Sequence, residues 1–314
     1  MFITVLVPTF RRPQSLSRCL KSLQAQSRPP DEILLVVRFD DEETMQFLNQ
    51  SGCTNLRTRI VEVKEPGVIA ALNRGLQLVQ GEILAITDDD AAPHADWLER
   101  IEAYFLSDEQ LGGVGGRDYT PDSHGQSRRT VGKVQWFGRV IGNHHLGSGP
   151  PREVDELKGV NCSYRLDVLK SIGFDKRLRG SGAQAYWELS LGFKAKQAGW
   201  KLVYDPAIAV EHFAEPRFDE DQRGSFEAPA LTNAVFNQTL ILLENLPPAR
   251  RSAFLLWAFL IGGGEAFGLC QFLRYWPGMR AQAIQRLTAA LTGRCQALAV
   301  WWSARPIRQT PPVQ

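Results

Sequence analysis

The chain has 314 residues, with 36 lysines and arginines against 34 aspartates and glutamates, for a formal net charge of +2. That length suits one large α/β domain with an extension, or two domains, and a near-neutral balance without a basic tail argues against a nucleic-acid partner. Five scattered cysteines (Cys19, Cys53, Cys162, Cys270, Cys295), odd in number and with no CxxC pair, point to reduced thiols in the cytoplasm rather than a disulfide framework.

The first segment, residues 3–7, is an unbroken apolar run with branched residues, as expected of a parallel strand buried on both faces. It lacks the basic start and small-residue cleavage site of a signal peptide, so the protein is expected to stay inside the cell. Pro8 to Pro13 breaks the strand, and Leu16, Cys19, Leu20 and Leu23 then share one helical face. A strand over 31–37, a short helix over 43–49, a strand over 59–63 and a helix opened by Pro66-Gly67 follow. A strand over 82–87 comes next, then a helix over 97–106. Strand and helix alternating every 25 residues or so is the βαβ rhythm of a doubly wound, mostly parallel sheet.

The pattern loosens at Leu111-Gly112-Gly113-Val114-Gly115-Gly116-Arg117, which lacks GxGxxG spacing and reads as a bent strand or a close backbone approach. Residues 119–151 are polar and poorly periodic, as expected of a lid or binding loop. Within them His144-His145 are expected to face solvent rather than bind metal. Order returns with a strand over 159–165, a helix over 166–172 closed by Gly173, a helix over 187–198 with Gly199 as its C-cap, and extended chain to His212.

The strand over 82–87 runs into Asp88-Asp89-Asp90. Alternation along an extended chain puts Asp88 and Asp90 on one side and Asp89 on the other. Three like charges at a strand end repel one another unless a cation or solvent offsets them. The carboxyl ends of such strands are also where ligands collect. Two readings stand at this point: a divalent-metal site holding a phosphorylated substrate, or a solvated acidic turn.

Taken in order, several segments resemble the family 2 inverting glycosyltransferases of GT-A fold. They are Val5-Leu6-Val7-Pro8-Thr9-Phe10-Arg11-Arg12, Pro66-Gly67 with Ala71-Leu72-Asn73-Arg74-Gly75, Asp88-Asp89-Asp90, and Val114-Gly115-Gly116-Arg117. Gly159-Val160-Asn161-Cys162-Ser163, Gly173-Phe174-Asp175, Trp187-Glu188-Leu189, Ala198-Gly199-Trp200 and Asp205-Pro206 with Val210-Glu211-His212 complete the set. The resemblance implies a nucleotide-sugar half over 1–118, an acceptor half over 119–225 and a helical extension over 226–314. It implies transfer of a sugar from a nucleotide-diphosphate sugar to a hydroxyl on a glycan or a lipid-linked acceptor, with Mg²⁺ or Mn²⁺ as cofactor. Asp90, Asp88 and His212 are the implied metal ligands. Pro8, Thr9, Phe10, Arg12, Asp40, Asn73, Asp88 and Asp89 are the implied contacts to the nucleotide sugar.

Inversion by single displacement needs a base for the acceptor proton. Counting back from Ala198-Gly199-Trp200, the resemblance assigns it to Glu188, the second acid of the family's usual Glu-Asp pair, with Trp187 replacing the first. A glutamate answering the dipole of a helix N-terminus explains the same residue. A second departure is Arg38-Phe39, where the family usually ends its second strand in an aspartate on the nucleobase. Asp40 or Asp41 could take that role and Phe39 could stack, with a uridine nucleotide as the leading expectation and guanosine or thymidine behind it. These two departures are what an alternative reading, a catalytically inactive GT-A scaffold used for binding or assembly, rests on. A nucleotidyltransferase would carry glycines in the loop after the first strand, and Pro8-Thr9-Phe10-Arg11-Arg12 has none.

Beyond residue 225 the alternation stops. Residues 231–246 read as a helix, and 253–261 are strongly apolar until Gly262-Gly263-Gly264-Glu265 interrupts them. That run alone is too short to span a bilayer comfortably, and continuing it through 266–273 gives the length with Glu265 near the middle, a costly position. Arg274, Arg280, Arg286 and Arg294, with Trp276, Trp301 and Trp302, suit a membrane-surface segment over anionic lipid, placing the protein peripherally on the inner face of the cell membrane. A true span, a buried helical lid or oligomer contact, and a helical appendage with a solvated basic face are the other readings.

Overall fold

A computed structural model describes residues 1–50, 58–123 and 125–304, so Cys53 lies outside the described residues. The chain forms two compact units: Met1–Gln135 with Arg139–Ser225, and Trp136–Gly138 with Phe226–Gln314.

The first unit begins with β1 (Ile3–Thr9), α1 (Pro13–Gln24), β2 (Glu32–Arg38), α2 (Glu42–Gln50), β3 (Thr58–Val63), α3 (Val68–Leu76) and β4 (Ile83–Thr87). It continues with β5 (Ala91–Pro93), α4 (Trp97–Ser107), β6 (Leu111–Tyr119), the hairpin strands β7 (Lys133–Val134) and β8 (Val140–Ile141), and β9 (Arg152–Glu153). Last come β10 (Asn161–Arg165), α5 (Leu166–Ile172), α6 (Trp187–Gln197) and β11 (Lys201–His212). The main sheet has the order β3-β2-β1-β4-β10-β6-β11-β5, with β9 on β11. The block β3-β2-β1-β4 is parallel throughout, as is the β6–β11 pair, while β10 runs antiparallel to both β4 and β6.

The apolar runs of β1, β2 and β4 are buried, with Val5 between Ile33 and Ala85 in register. Buried Leu16, Leu20 and Leu23 of α1 and Trp97, Ile101 and Phe105 of α4 belong to the same core cluster. Each such side chain removed from water stabilises by about 1.5–3 kcal/mol. The reversal at β10 is fixed by polar groups: buried Asn161 accepts from Trp97 Nε1 at 2.9 Å and donates to the carbonyls of Arg117 and Ile208.

Glycines make room for that crossing. A Cβ at Gly115 would stand 2.3 Å from the Asn161 carbonyl, and one at Gly116 1.9 Å from that of Ile208. The glycine-rich run is therefore a central strand approached closely by two neighbours. The 119–151 segment, expected as a lid or binding loop, is tied down at the following points. Buried Arg117 donates to the carbonyls of Ser123, Gln126, His145 and Gly147, and the Tyr204 hydroxyl donates to that of His144 at 2.8 Å. His144 departs from the solvent-facing expectation. It is buried with Nε2 at 3.2 Å from the Glu156 carbonyl, and burial pushes its pKa down to about 4.

The second unit contains α7 (Ala228–Asn245), α8 (Pro248–Leu260), α9 (Leu269–Met279) and α10 (Ala281–Ser303). Helices α7 and α10 cross closely, because a Cβ at Gly293 would meet the Thr232 carbonyl at 2.5 Å; Phe236, Leu240 and Ala297 fill the contact. Buried Arg294 donates to the carbonyls of Phe267 and Ala266 and so holds the turn that interrupts the apolar run. Among the described residues no helix is long and apolar enough to cross a membrane.

Candidate active site

Strand β4 delivers Asp88-Asp89-Asp90 at its carboxyl end, and β5 starts one residue later. Because β5 pairs antiparallel with β11 and His212 lies opposite Ala91, the end of β11 is brought beside the acidic triplet. Asp88, Asp90 and His212 each present a ligand atom within 4.8 Å of the others. His212 Nε2 is 3.5 Å from Asp90 Oδ1, and its Nδ1 is 3.4 Å from Asp118 Oδ2. Asp118 is fully buried at the end of β6 and also pairs with Lys158 at 2.5 Å.

The alternation read from the sequence holds. Asp89 points the other way, accepting from Thr9 Oγ1 at 2.8 Å and pairing with Arg12 at 2.8 Å. Arg12 also reaches Asp90 Oδ2 at 3.3 Å, the same oxygen that Arg223 meets at 2.9 Å and the Glu215 N–H at 3.0 Å. Buried Asp90 Oδ1 has no hydrogen-bond partner among the described residues. Burial alone would raise the Asp90 carboxyl, but His212, Arg12 and Arg223 outweigh it and hold the pKa below the usual carboxylate range. Burial, then the charge of Asp90, pushes Asp88 up, and burial pushes Asp89 up to about 7. A half-satisfied buried carboxylate beside a second carboxylate and an imidazole is a donor set that fits a divalent cation.

The same cleft is lined by Glu188, Trp187, Gly159 and Lys158. Glu188 lies in the first turn of α6, whose N-cap, Tyr186, is in the left-handed region at φ 74°. Its Oε1 accepts from the Gly159 N–H at 3.2 Å, and a Cβ at Gly159 would strike the Trp187 ring at 2.6 Å. Trp187 is buried and set edge-on to Phe174, a packing role. Burial pushes the Glu188 pKa up to about 7, and that of neighbouring Glu156 up to about 8.

Of the other sequence candidates, Pro8, Thr9, Phe10 and Arg12 line this cleft, together with Arg38, which lies 3.3 Å over the Phe10 ring. Two candidates are placed elsewhere. Asp40 is an exposed partner of Arg38 at 2.7 Å, and Asn73 bridges the carbonyls of Ile69 and Phe174. Asp41 is buried and accepts from the N–H of Thr44 at the start of α2 and from that of Arg11 in the β1–α1 loop, and Phe39 is exposed outside the cleft lining.

Sequence reasoning missed Asp118, Lys158, Gln184 and Arg223. Asp118 directly follows the quoted Val114 to Arg117 motif. Gln184 accepts from the Ile69 N–H at 2.9 Å, and Gly182 accepts from that of Val68, which zips the loop before α6 to the start of α3.

A family model described as "Glycosyltransferase like family 2" matches residues 2–226. A glucosyl-dolichyl phosphate glucuronosyltransferase of Haloferax volcanii is 26% identical over 220 residues, covering 68% of this chain and 69% of its own. Among solved structures, the Pyrobaculum calidifontis mannosyltransferase PcManGT, in complex with GDP-Man and Mn²⁺, matches with a TM-score of 0.54 at 18% identity, over 98% of this chain and 76% of that one. S. aureus TarS 1–349, in complex with UDP-GlcNAc, matches with a TM-score of 0.59 at 14% identity, over 98% and 93%. The structural likenesses establish the GT-A fold.

Proposed function

The chain belongs to glycosyltransferase family 2, and from that premise we propose a metal-dependent, inverting enzyme that moves a sugar from a nucleoside-diphosphate sugar to a hydroxyl acceptor. The observation that carries this is one cleft lined by both an anionic Asp88–Asp90–His212 cluster and a carboxyl, Glu188, raised to about 7. Asp88, Asp90 and His212 would hold Mg²⁺ or Mn²⁺; the imidazole among the donors suits Mn²⁺ better than Mg²⁺. A divalent ion there supplies Lewis-acid neutralisation of the charge that develops on the departing diphosphate.

Glu188 takes the proton from the acceptor hydroxyl as that oxygen attacks the anomeric carbon and the bond to the nucleoside diphosphate breaks. A base with a pKa near the working pH is well matched to this task. Phe10 and Pro8 offer the donor an apolar wall, and Thr9 and Arg12 keep Asp89 turned from the metal side. The inactive-scaffold reading loses its footing here, since Trp187 replaces an acid by packing and leaves Glu188 in the cleft. The test is release of nucleoside diphosphate from a panel of UDP-, GDP- and dTDP-sugars with Mn²⁺, UDP-sugars being the first choice. The anomeric configuration of the product is then read by NMR, and a retained configuration overturns the mechanism.

The acceptor is proposed to be a glycan or lipid-linked sugar met at a membrane surface, in line with the dolichyl-phosphate substrate in the relative's name. Charge and apolarity in the second unit support this. Residues 248–314 carry eight arginines, no lysine or aspartate and one glutamate, a net +7; with the whole chain at +2, residues 1–247 stand at −5. Helix α9 buries no side chain, and Leu269, Leu273 and Trp276, at one-face spacing, are exposed. Such a helix lies in an anionic interface rather than spanning it, which corresponds to a peripheral position on the inner face of the cell membrane. Flotation with phosphatidylglycerol vesicles and not with phosphatidylcholine vesicles is the expected result; flotation with neither overturns it.

A further inference from the structure

Asp90 and His212 already hold a cation, and it belongs to the chain itself. Arg223 places Nη1 2.9 Å from Asp90 Oδ2 and Nη2 3.2 Å from His212 Nε2. A guanidinium only donates, so His212 must turn a lone pair on Nε2 toward it. The ring proton then sits on Nδ1, where Asp118 Oδ2 accepts it at 3.4 Å. That tautomer, fixed by a buried carboxylate, is also the one that would offer Nε2 to a metal ion. Arg223 and a divalent cation therefore require the same imidazole lone pair and the same carboxylate. The other neighbouring cation, Arg12, shares the carboxylate at 3.3 Å but not the imidazole: its nearer partner is Asp89 at 2.8 Å, and no bond joins it to His212 among the described residues.

Arg223 is carried by the segment after β11, which crosses the cleft on weak ties. Phe213 N–H donates to the Asp90 carbonyl at 2.9 Å, Arg12 Nε donates to that of Pro216 at 3.0 Å, and Asp219 pairs with Arg38 at 2.9 Å. Glu215 meets Arg18 at 3.2 Å, and Phe218 touches Phe10 edge-on at 6.1 Å. The two ion pairs, partly exposed, contribute about 0–1 kcal/mol each, and the Glu215 N–H bond to Asp90 Oδ2 falls on the same carboxylate that Arg223 holds, so the ties follow the occupancy of Asp90.

We propose that Arg223 is an exchangeable counter-cation. It neutralises Asp90 in the free protein, yields Asp90 and His212 when a divalent ion arrives, and then pairs with the donor's diphosphate. This rests on the metal-site reading above. The last step follows from charge and shape: once displaced, the planar guanidinium needs a new anion, and two phosphate oxygens match its fork.

The experiment is calorimetric titration of Mn²⁺ into the full chain without donor, followed by titration of UDP and GDP at saturating Mn²⁺. Thermal melting confirms that each variant is folded. Arg223→Gln should bind Mn²⁺ ~10-fold more tightly than the parent and then bind the nucleoside diphosphate ~10-fold more weakly, a coupling of ordinary size. Arg223→Lys, which keeps the charge but cannot bridge two partners, should fall between. Unchanged or weaker Mn²⁺ binding by Arg223→Gln, while Asp90→Asn still abolishes it, overturns the exchange and leaves the metal site standing. Full Mn²⁺ binding by Asp90→Asn overturns both.

Discussion

Asp90 and Glu188 line one cleft, and their surroundings push them in opposite directions. Around Asp90 the His212 ring and the opposing charges of Arg12 and Arg223 outweigh burial and hold the carboxylate ionised. Around Glu188 burial goes largely unanswered: the Gly159 N–H and its own helix terminus give partial relief, Asp88 adds repulsion, and the pKa reaches about 7. Identical chemistry thus yields a permanent anion in one place and a carboxyl poised to exchange a proton in the other. In the proposed mechanism, separating the two by environment divides metal binding from base catalysis.

The sharpest way to break this contrast is at its anionic end. Asp90→Ala should lower transfer by ~10³-fold or more, on the scale of losing several kcal/mol of charge stabilisation, and should abolish Mn²⁺ binding by calorimetry. Retained Mn²⁺ binding would mean that Asp90 is not the permanent anion of the pair. At the other end, Glu188→Gln should lower kcat by ~10²–10⁴-fold while leaving the donor Kd within about twofold. The same assignment sets a pH profile. Only ionised Glu188 accepts a proton, so kcat should climb about tenfold per unit below about 7 and level off above it. A flat profile from pH 5.5 to 8 would remove Glu188 from the role. A smaller effect sharpens the metal side. Asp118→Asn should weaken Mn²⁺ binding ~10–100-fold, because the imidazole loses the group that fixes its tautomer, with kcat restored at saturating Mn²⁺. Loss of kcat that excess Mn²⁺ fails to restore would mean that Asp118 does more than orient His212.

What the sequence disclosed, and what it hid, follows the range of the forces involved. The strands over 3–7, 31–37 and 82–87 and the helices beside them were legible because burial imposes periodicity on neighbouring residues. Asp88 and Asp90 were legible together because strand alternation is local. The reversal of β10 was not, since it depends on Asn161 meeting Trp97, 64 positions away. His144 looked like a solvated loop histidine because nothing local announces that Tyr204 and Glu156 enclose it. Asp40 and Asn73 were attractive for residue type and position, yet Arg38 takes the first and two backbone carbonyls take the second. Arg223 lies in a stretch with no periodicity, and its place beside Asp90 comes from the return of the chain after β11, a separation of 133 residues.

The least of the expected effects concerns stability, and its sign is the informative part. The Glu188 carboxyl is raised from 4.5 to about 7 in the folded protein, so above pH 4.5 the native state holds a proton that the unfolded chain has released. Stability contributed by this group is therefore present below about pH 4.5, declines as pH rises through about 7, and stays reduced above it. A glutamine keeps the oxygen that accepts from Gly159 and has no charge to desolvate. Glu188→Gln should accordingly melt a few degrees higher than the parent at pH 8, about the shift that one or two kcal/mol produces in a domain this size, with the gain vanishing near pH 4.5. A variant less stable than the parent at pH 8 would mean that the carboxylate is well solvated or well paired, and the contrast with Asp90 would then be one of position alone.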